Sequence, residues 1–210
     1  MRIKILGCSG GIGRNRHTTS MLLDDDVLID AGTGLTKLTL QQLAKVDHVF
    51  LTHAHMDHIA CLPMLVDSVA QLRSKPITVY CNEETRDALK RHIFNWLIWP
   101  DFTILPSLDK PVLQFQLIEV DQVVSINHGR NVRALPAAHQ VPAVGYCFEC
   151  DAGAFVFTGD TAECPELWDR LRVMDQLKVL VIESAFSDQE EALATRAGHL
   201  TPALVAKASS

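Results

Sequence analysis

The segment Leu51-Thr52-His53-Ala54-His55-Met56-Asp57-His58 constrains this chain more than any other feature. It continues from His48-Val49-Phe50-Leu51-Thr52, which reads as a short buried strand. It precedes a stretch from Ile59 to about Leu72 with helical spacing of apolar residues. In extended backbone, residues i and i+2 point the same way, so His53 and His55 can converge on one cation. Asp57 and His58 come as the chain turns and can face a second cation beside the first. Imidazole and carboxylate suit zinc, and equally other first-row metals. Three histidines and an acid in so short a stretch fit neither core packing nor a solvated face.

Two later residues fit as partners of that cluster. His139 lies just past the strand-like Val132 to Pro136, and Asp160 follows Phe155-Val156-Phe157-Thr158-Gly159. Each sits at a strand end, where loops carry chemistry on a rigid scaffold. Gly159 permits close backbone approach beside Asp160. Taken alone, either residue reads as a satisfied histidine or a turn aspartate; the earlier cluster lifts both above that.

The remaining chain reads as strands with helices dispersed among them. Strand-like segments are Arg2 to Leu6, a hairpin of Met21 to Leu23 and Val27 to Ile29 about Asp24-Asp25-Asp26, and Ile77 to Tyr80. Further on come Leu113 to Val120, Val123 to Ile126, Val132 to Pro136, Val144 to Phe148, Ala154 to Thr158 and Leu177 to Ile182. Helical spacing marks Leu35 to Ala44, Asn82 caps a helix, and Thr201-Pro202 opens one that runs toward Ser210. Such a mixture argues for sheets covered by helices rather than a bundle. With 210 residues and no low-complexity linker, one domain over 1–210 is expected.

Composition narrows the partners. Lys plus Arg number 19 against 25 Asp plus Glu, a net charge of −6, and no basic block appears. That argues against a protein held mainly by nucleic-acid phosphates and for a small-molecule substrate. No apolar run approaches the ~18 residues of a membrane span, so no membrane partner is expected. The six cysteines are scattered in apolar contexts and read as reduced thiols of a cytoplasmic protein. Self-association as a homodimer is compatible with all of this.

His53-x-His55-x-Asp57-His58, His139 and Thr158-Gly159-Asp160 together resemble the metallo-β-lactamase superfamily, as does Leu28-Ile29-Asp30-Ala31-Gly32 upstream. Ile182-Glu183-Ser184-Ala185-Phe186, followed by Gly198-His199-Leu200-Thr201-Pro202, resembles the branch containing class II cyclic-nucleotide phosphodiesterases. Cys61 and Met56 depart from that branch, which usually has Gly or Ser at the first position and Leu at the second. The resemblance implies an α+β fold, a four-layer αββα sandwich. It also implies a dinuclear site in which His53, His55 and His139 hold one metal, Asp57 and His58 the other, and Asp160 bridges. Two divalent ions are expected, zinc first, with manganese or iron as alternatives. The family's last ligand is a histidine on a Thr-His-x-Lys-Pro-like strand beyond the Leu-Thr-Pro helix. This sequence has no such strand, so the expected fold lacks its C-terminal strand and the chain reads as shortened or completed by a partner. His199 could stand in for that ligand, but its motif resembles instead the family's non-ligand histidine beside the reacting group, and that is the role expected of it.

The expected activity is metal-dependent hydrolysis of a phosphodiester, a cyclic nucleotide for instance. Asp57 would orient the attacking hydroxide, and His199 would donate a proton or hydrogen bond to the leaving group. Rivals within the fold are a nuclease resembling the enzyme that trims transfer-RNA 3′ ends and a thioester, lactone or lactam hydrolase. A rival of another class is a metal-binding module without turnover. In His92 to Phe102, core packing is the expected role, while Phe94 and Trp99 are candidates for stacking over the site. Gly7 to Gly13 lacks the ending of a phosphate-binding loop and reads as a turn. Cys147-Phe148-Glu149-Cys150 lies on a strand, where positions three apart face opposite ways, and reads as packing. His17, in a polar loop, is a candidate lining residue.

Overall fold

A computed structural model describes residues 1–208. Apolar runs flanked by polar turns form the strands of the first half. β1 (Ile3–Gly7), β2 (Ser20–Leu23) and β3 (Val27–Ile29) pair antiparallel. β4 (His48–Phe50), β5 (Ile77–Cys81) and β6 (Leu113–Leu117) then add in parallel, giving one six-stranded sheet in sequence order. Every residue of β2, β3 and β5 is buried, the mark of strands covered on both faces. The parallel pairs need crossovers, and helices supply them: α1 (Leu40–Leu43), α2 (Met56–Ile59), α3 (Leu62–Val69) and α4 (Glu83–His92). Leu62, Leu65, Val66 and Val69 of α3 pack with Leu28, Val49 and Val79 of the strands and with Leu89 of α4 in one core.

The second half builds a five-stranded sheet in the order β11-β10-β9-β8-β7. Its strands are β7 (Val123–Ile126), β8 (Arg130–Pro136), β9 (Val144–Cys150), β10 (Gly153–Phe157) and β11 (Leu177–Val181). β7 to β10 are antiparallel neighbours, and β11 lies parallel to β10. α5 (Pro165–Arg172) lays Leu167, Trp168 and Leu171 against Leu135, Cys147 and Val156. α6 (Glu191–Ala197) and α7 (Pro202–Ala208) follow, and the expected reach of the last helix to Ser210 lies outside the described residues. The chain divides into two compact units, Met1–Leu117 and Ile118–Ser210, each carrying one sheet. All six cysteines are unpaired, and no helix among the described residues is long and apolar enough to cross a membrane.

Three local expectations are corrected. The helix expected from Leu35 to Ala44 is a 3-10 turn over Thr33–Lys37 followed by α1, because Thr39 starts a new helix. Its hydroxyl accepts from Gln42 N while the Gln42 side chain accepts from Thr39 N, a reciprocal cap. The helix expected from Ile59 begins earlier, at Met56, and breaks at Cys61. Within His92 to Phe102 the expected core packing holds for Ile93 and Phe94 and fails for Trp96, Leu97 and Ile98, which are exposed, and Phe94 does not stack over a site. It is 2% exposed in the core of the first unit, where Trp99 also packs. α4 ends at His92, so helical spacing no longer governs where Phe94 points.

Candidate functional site

In the first unit the site starts from a buried acid. Asp30 follows the fully buried β3 and adopts the left-handed region at φ 54°. That bend turns its carboxylate back over the end of β4, where it accepts from Thr52 N at 2.8 Å and from the Thr52 hydroxyl at 2.9 Å. It also accepts from His58 Nδ1–H at 2.7 Å. Having given its proton to Asp30, the Thr52 hydroxyl can only accept from His53 Nδ1–H, at 3.0 Å. One carboxylate thus sets both rings, directly for His58 and through Thr52 for His53, and puts the lone pair of each on Nε2. Burial pushes the Asp30 carboxyl above the usual carboxylate range, with His58 and Thr52 pulling part of the way back.

The turn after Asp30 clamps the histidine segment. Ala31 N donates to His58 O at 2.6 Å, and Cys61 N donates to Ala31 O at 2.8 Å. Gly32 lets the backbone close in: a Cβ there would stand 2.2 Å from Asp57 O and 2.4 Å from Thr18 Oγ1. His53 and His58 are 0% and 1% exposed, while His55 and Asp57 are half-exposed.

His53 Nε2 and His55 Nδ1 meet at 3.0 Å, and His58 Nε2 lies 3.6 Å from Asp57 Oδ2. Two nitrogens bound at ~2.0–2.1 Å to a tetrahedral zinc stand roughly 3.3 Å apart, so the His53–His55 pair fits one divalent cation. The i, i+2 spacing sets His53 beside His55, and the turn sets Asp57 beside His58; among the described residues Asp57 joins no group of three or more possible ligand atoms within 4.8 Å of one another.

In the second unit the donors come from separate loops. His139 follows β8, Asp160 follows β10 beyond Gly159 at φ 64°, and His199 follows α6 beyond Gly198 at φ 74°. One ligand atom from each lies within 4.8 Å of the others, a set that also fits a cation. His139 Nδ1–H donates to Gly198 O at 2.9 Å, again placing the lone pair on Nε2. The His139 loop is strapped to the next one by Ala138 N to Thr161 Oγ1 at 3.0 Å and Ala162 N to Ala138 O at 2.6 Å.

His199 rests on Glu183, two residues past β11. Glu183 Oε1 accepts from His199 Nδ1–H at 2.9 Å, Thr161 N at 3.1 Å and Leu200 N at 3.3 Å, and Oε2 accepts from Ala185 N at 3.0 Å. The His139 and His199 rings meet edge to face at 4.9 Å.

Asp30 and Glu183 are the residues that motif reading leaves without a role. Each is an acid within two residues of the end of a strand, Asp30 after β3 and Glu183 after β11, where an unpaired charge is costly. That signal asks for a buried partner and points to the histidines.

Relatives carry related names. A ribonuclease Z from Clostridium beijerinckii is 30% identical over 70% of this chain and 48% of its own length. A probable 3′,5′-cyclic-nucleotide phosphodiesterase from Yersinia pestis is 26% identical over 77% of this chain and 50% of its own. The chain therefore spans about half the length of the curated relatives it matches. Among solved structures, the metallo-β-lactamase fold protein YhfI from Bacillus subtilis superposes with a TM-score of 0.77 at 18% identity. That superposition covers 99% of this chain and 80% of YhfI, and it shows the shared fold. A family model described as the beta-lactamase superfamily domain matches residues 25–210, and on that match the chain belongs to this superfamily.

Proposed function

We propose that this chain is a metal-dependent phosphodiester hydrolase with His53, His55, Asp57, His58, His139 and Asp160 as ligands of two divalent cations, zinc first. The observation that carries the reading is the Asp30–Thr52 network, which fixes the ring tautomers of His53 and His58 with their lone pairs on Nε2. A core histidine has no need of a fully buried carboxylate committed to that task.

Bound divalent cations supply Lewis acidity and a hydroxide nucleophile at neutral pH. Asp57 accepts a hydrogen bond from the attacking oxygen and aims its lone pair at phosphorus. As the P–O bond to the leaving group breaks, His199 gives the departing alkoxide a proton, and Glu183 stabilises the imidazolium that holds it.

For the substrate, the net charge of −6 and the lack of a basic block support a small diester such as a cyclic nucleotide. A second reading, cleavage of precursor transfer RNA, is supported by the ribonuclease Z name that recurs among the relatives. The relatives weigh against the charge argument, and the nuclease reading stands beside the cyclic-nucleotide one.

One experiment tests both readings. Protein stripped by chelator and reconstituted with zinc, manganese or iron is analysed for metal and assayed on a small chromogenic diester, a cyclic nucleotide and a precursor transfer RNA. We expect two equivalents of metal and turnover of the chromogenic diester that the chelator abolishes. The other two substrates decide between cyclic nucleotide and RNA. Full metal loading without turnover of any ester would leave a metal-binding module.

A further inference from the structure

Residues 93–112 connect α4 to β6, and their first turn is built to expose apolar side chains. Trp96 is 59% exposed, Leu97 89% and Ile98 63%; among the described residues no other three consecutive large apolar side chains stand in water. The turn is tightly bonded. The Asn95 side-chain oxygen accepts from Leu97 N and Ile98 N at 3.0 and 2.9 Å, and its amide donates to Arg91 O at 3.0 Å. Trp96 N donates to Trp99 O and Trp99 N to Ile93 O, both at 3.0 Å. Ile93 and Trp99 pack on the core from this frame, and the same frame holds Trp96 at φ 65°, a left-handed conformation that costs a bulky residue.

Topology puts this turn away from the histidines of its own unit. β4, β5 and β6 are parallel. α4 therefore returns the chain from the C-terminal end of β5 to the N-terminal end of β6, about 15 Å along its ten residues. β4 delivers His53 at the other end of the sheet.

Charge and area indicate what the tip meets. Lys90, Arg91 and His92 are exposed in the last turn of α4, and Lys110 is exposed beyond Leu108, itself 77% exposed. Asp109 is the exposed acid of this span; Asp101 is buried, 3.8 Å from Lys90. Within a chain of net charge −6, residues 90–112 carry Lys90, Arg91 and Lys110 against Asp101 and Asp109, with His92 neutral, a local charge of +1. The apolar tip offers at most a few hundred Å², well under the ~800 Å² per partner of a stable protein interface. A small apolar tip containing Trp, with the exposed Arg91 tied to its frame through Asn95, matches the boundary of an anionic bilayer. There Trp sits at headgroup level, aliphatic side chains enter the acyl margin and Lys or Arg meets phosphate.

We propose that the Trp96-Leu97-Ile98 turn is a peripheral contact for anionic phospholipid surfaces. The sequence-based expectation of no membrane partner rested on the absence of a span, and this contact requires none. With few side chains involved, binding is reversible.

The test is cosedimentation of the whole chain with vesicles of phosphatidylcholine alone or mixed equally with phosphatidylserine. The chain should pellet with the mixed vesicles and stay in solution with the neutral ones. Leu97→Ser with Ile98→Ser should reduce partitioning at least tenfold. Arg91→Gln should reduce it about fivefold without touching the apolar tip, a check that does not depend on the double variant's folding. Thermal unfolding and hydrolysis of the chromogenic diester should be unchanged in both, because neither variant alters the core or the donor residues. Equal pelleting of wild type and both variants would overturn the proposal. So would absence of binding to anionic vesicles, or a dimer or RNA complex that the double variant abolishes.

Discussion

In the first unit four donors come from one short stretch, and two of them, His53 and His58, are held from behind by a side chain, Asp30. In the second, His139, Asp160 and His199 come from three loops and lean on the carbonyl of Gly198 and on Glu183. Burial divides them in part, because His55 and Asp57 of the first cluster are half-exposed too. His53 and His58 are fully buried on a fully buried acid, whereas His139, Asp160 and His199 are all half-exposed. In low dielectric each unpaired donor is costly, so the first cluster is coupled to the stability of its unit. The second is coupled to long-range closure of loops, and damage there should appear in function before it appears in stability.

Asp30 separates these consequences most sharply. Asp30→Ala leaves Thr52 N, the Thr52 hydroxyl and His58 Nδ1–H without their acceptor in a sealed interior. We expect a loss of about 3–5 kcal/mol in urea unfolding. Asp30→Asn keeps the shape but can turn an amide N–H toward His58, which moves the imidazole proton to Nε2 and takes the lone pair from the ligand side. Zinc affinity, read by competition with a chromogenic chelator, should fall about 10–100-fold with a smaller loss of stability. Wild-type zinc affinity in both variants would remove the basis for reading the first cluster as a metal site.

Glu183→Gln is the corresponding change in the second unit. The amide can keep one accepting oxygen but loses the charge that stabilises protonated His199. Turnover of the chromogenic diester should drop about 10–100-fold, while unfolding shifts by only about 1 kcal/mol and metal content stays at wild-type level. His199→Ala should match it in turnover. If that variant instead loses one equivalent of metal, His199 is a ligand rather than a proton donor.

The same contrast explains what could be read in advance. His53 to His58 were legible because their geometry is local: extended spacing, then a turn. The strand segments were legible because apolar runs of strand length sit between polar turns; the structure keeps half of their ends in place and moves the others by one or two residues, save the expected Leu113 to Val120, which stops at Leu117. Asp30 and Glu183 were not assigned, because what they do depends on a ring that lies 28 positions away in one case and 16 in the other. The Thr39–Gln42 cap was in plain view as Thr-Leu-Gln-Gln, but apolar spacing masked it. Phe94 misled because helical spacing was carried past the end of α4.

Gly198→Ala probes how the second cluster is held with the smallest perturbation. At φ 74° an alanine costs about 1 kcal/mol relative to glycine. Its Cβ would stand 3.1 Å from Gln140 N and 3.2 Å from His139 Nδ1, so its neighbours must give by a few tenths of an ångström. The movement falls on the bond from His139 to Gly198 O, and the ring should tilt without losing its tautomer. We expect unfolding free energy to fall by about 1 kcal/mol and turnover by only a few-fold, less than in Glu183→Gln. At Gly32 no comparable accommodation exists, because an added Cβ meets Asp57 O at 2.2 Å and Thr19 O at 2.6 Å, both backbone atoms. A Gly198→Ala enzyme as impaired as the Asp30 variants would mean that the loops of the second unit are as rigidly built as the buried strand ends of the first.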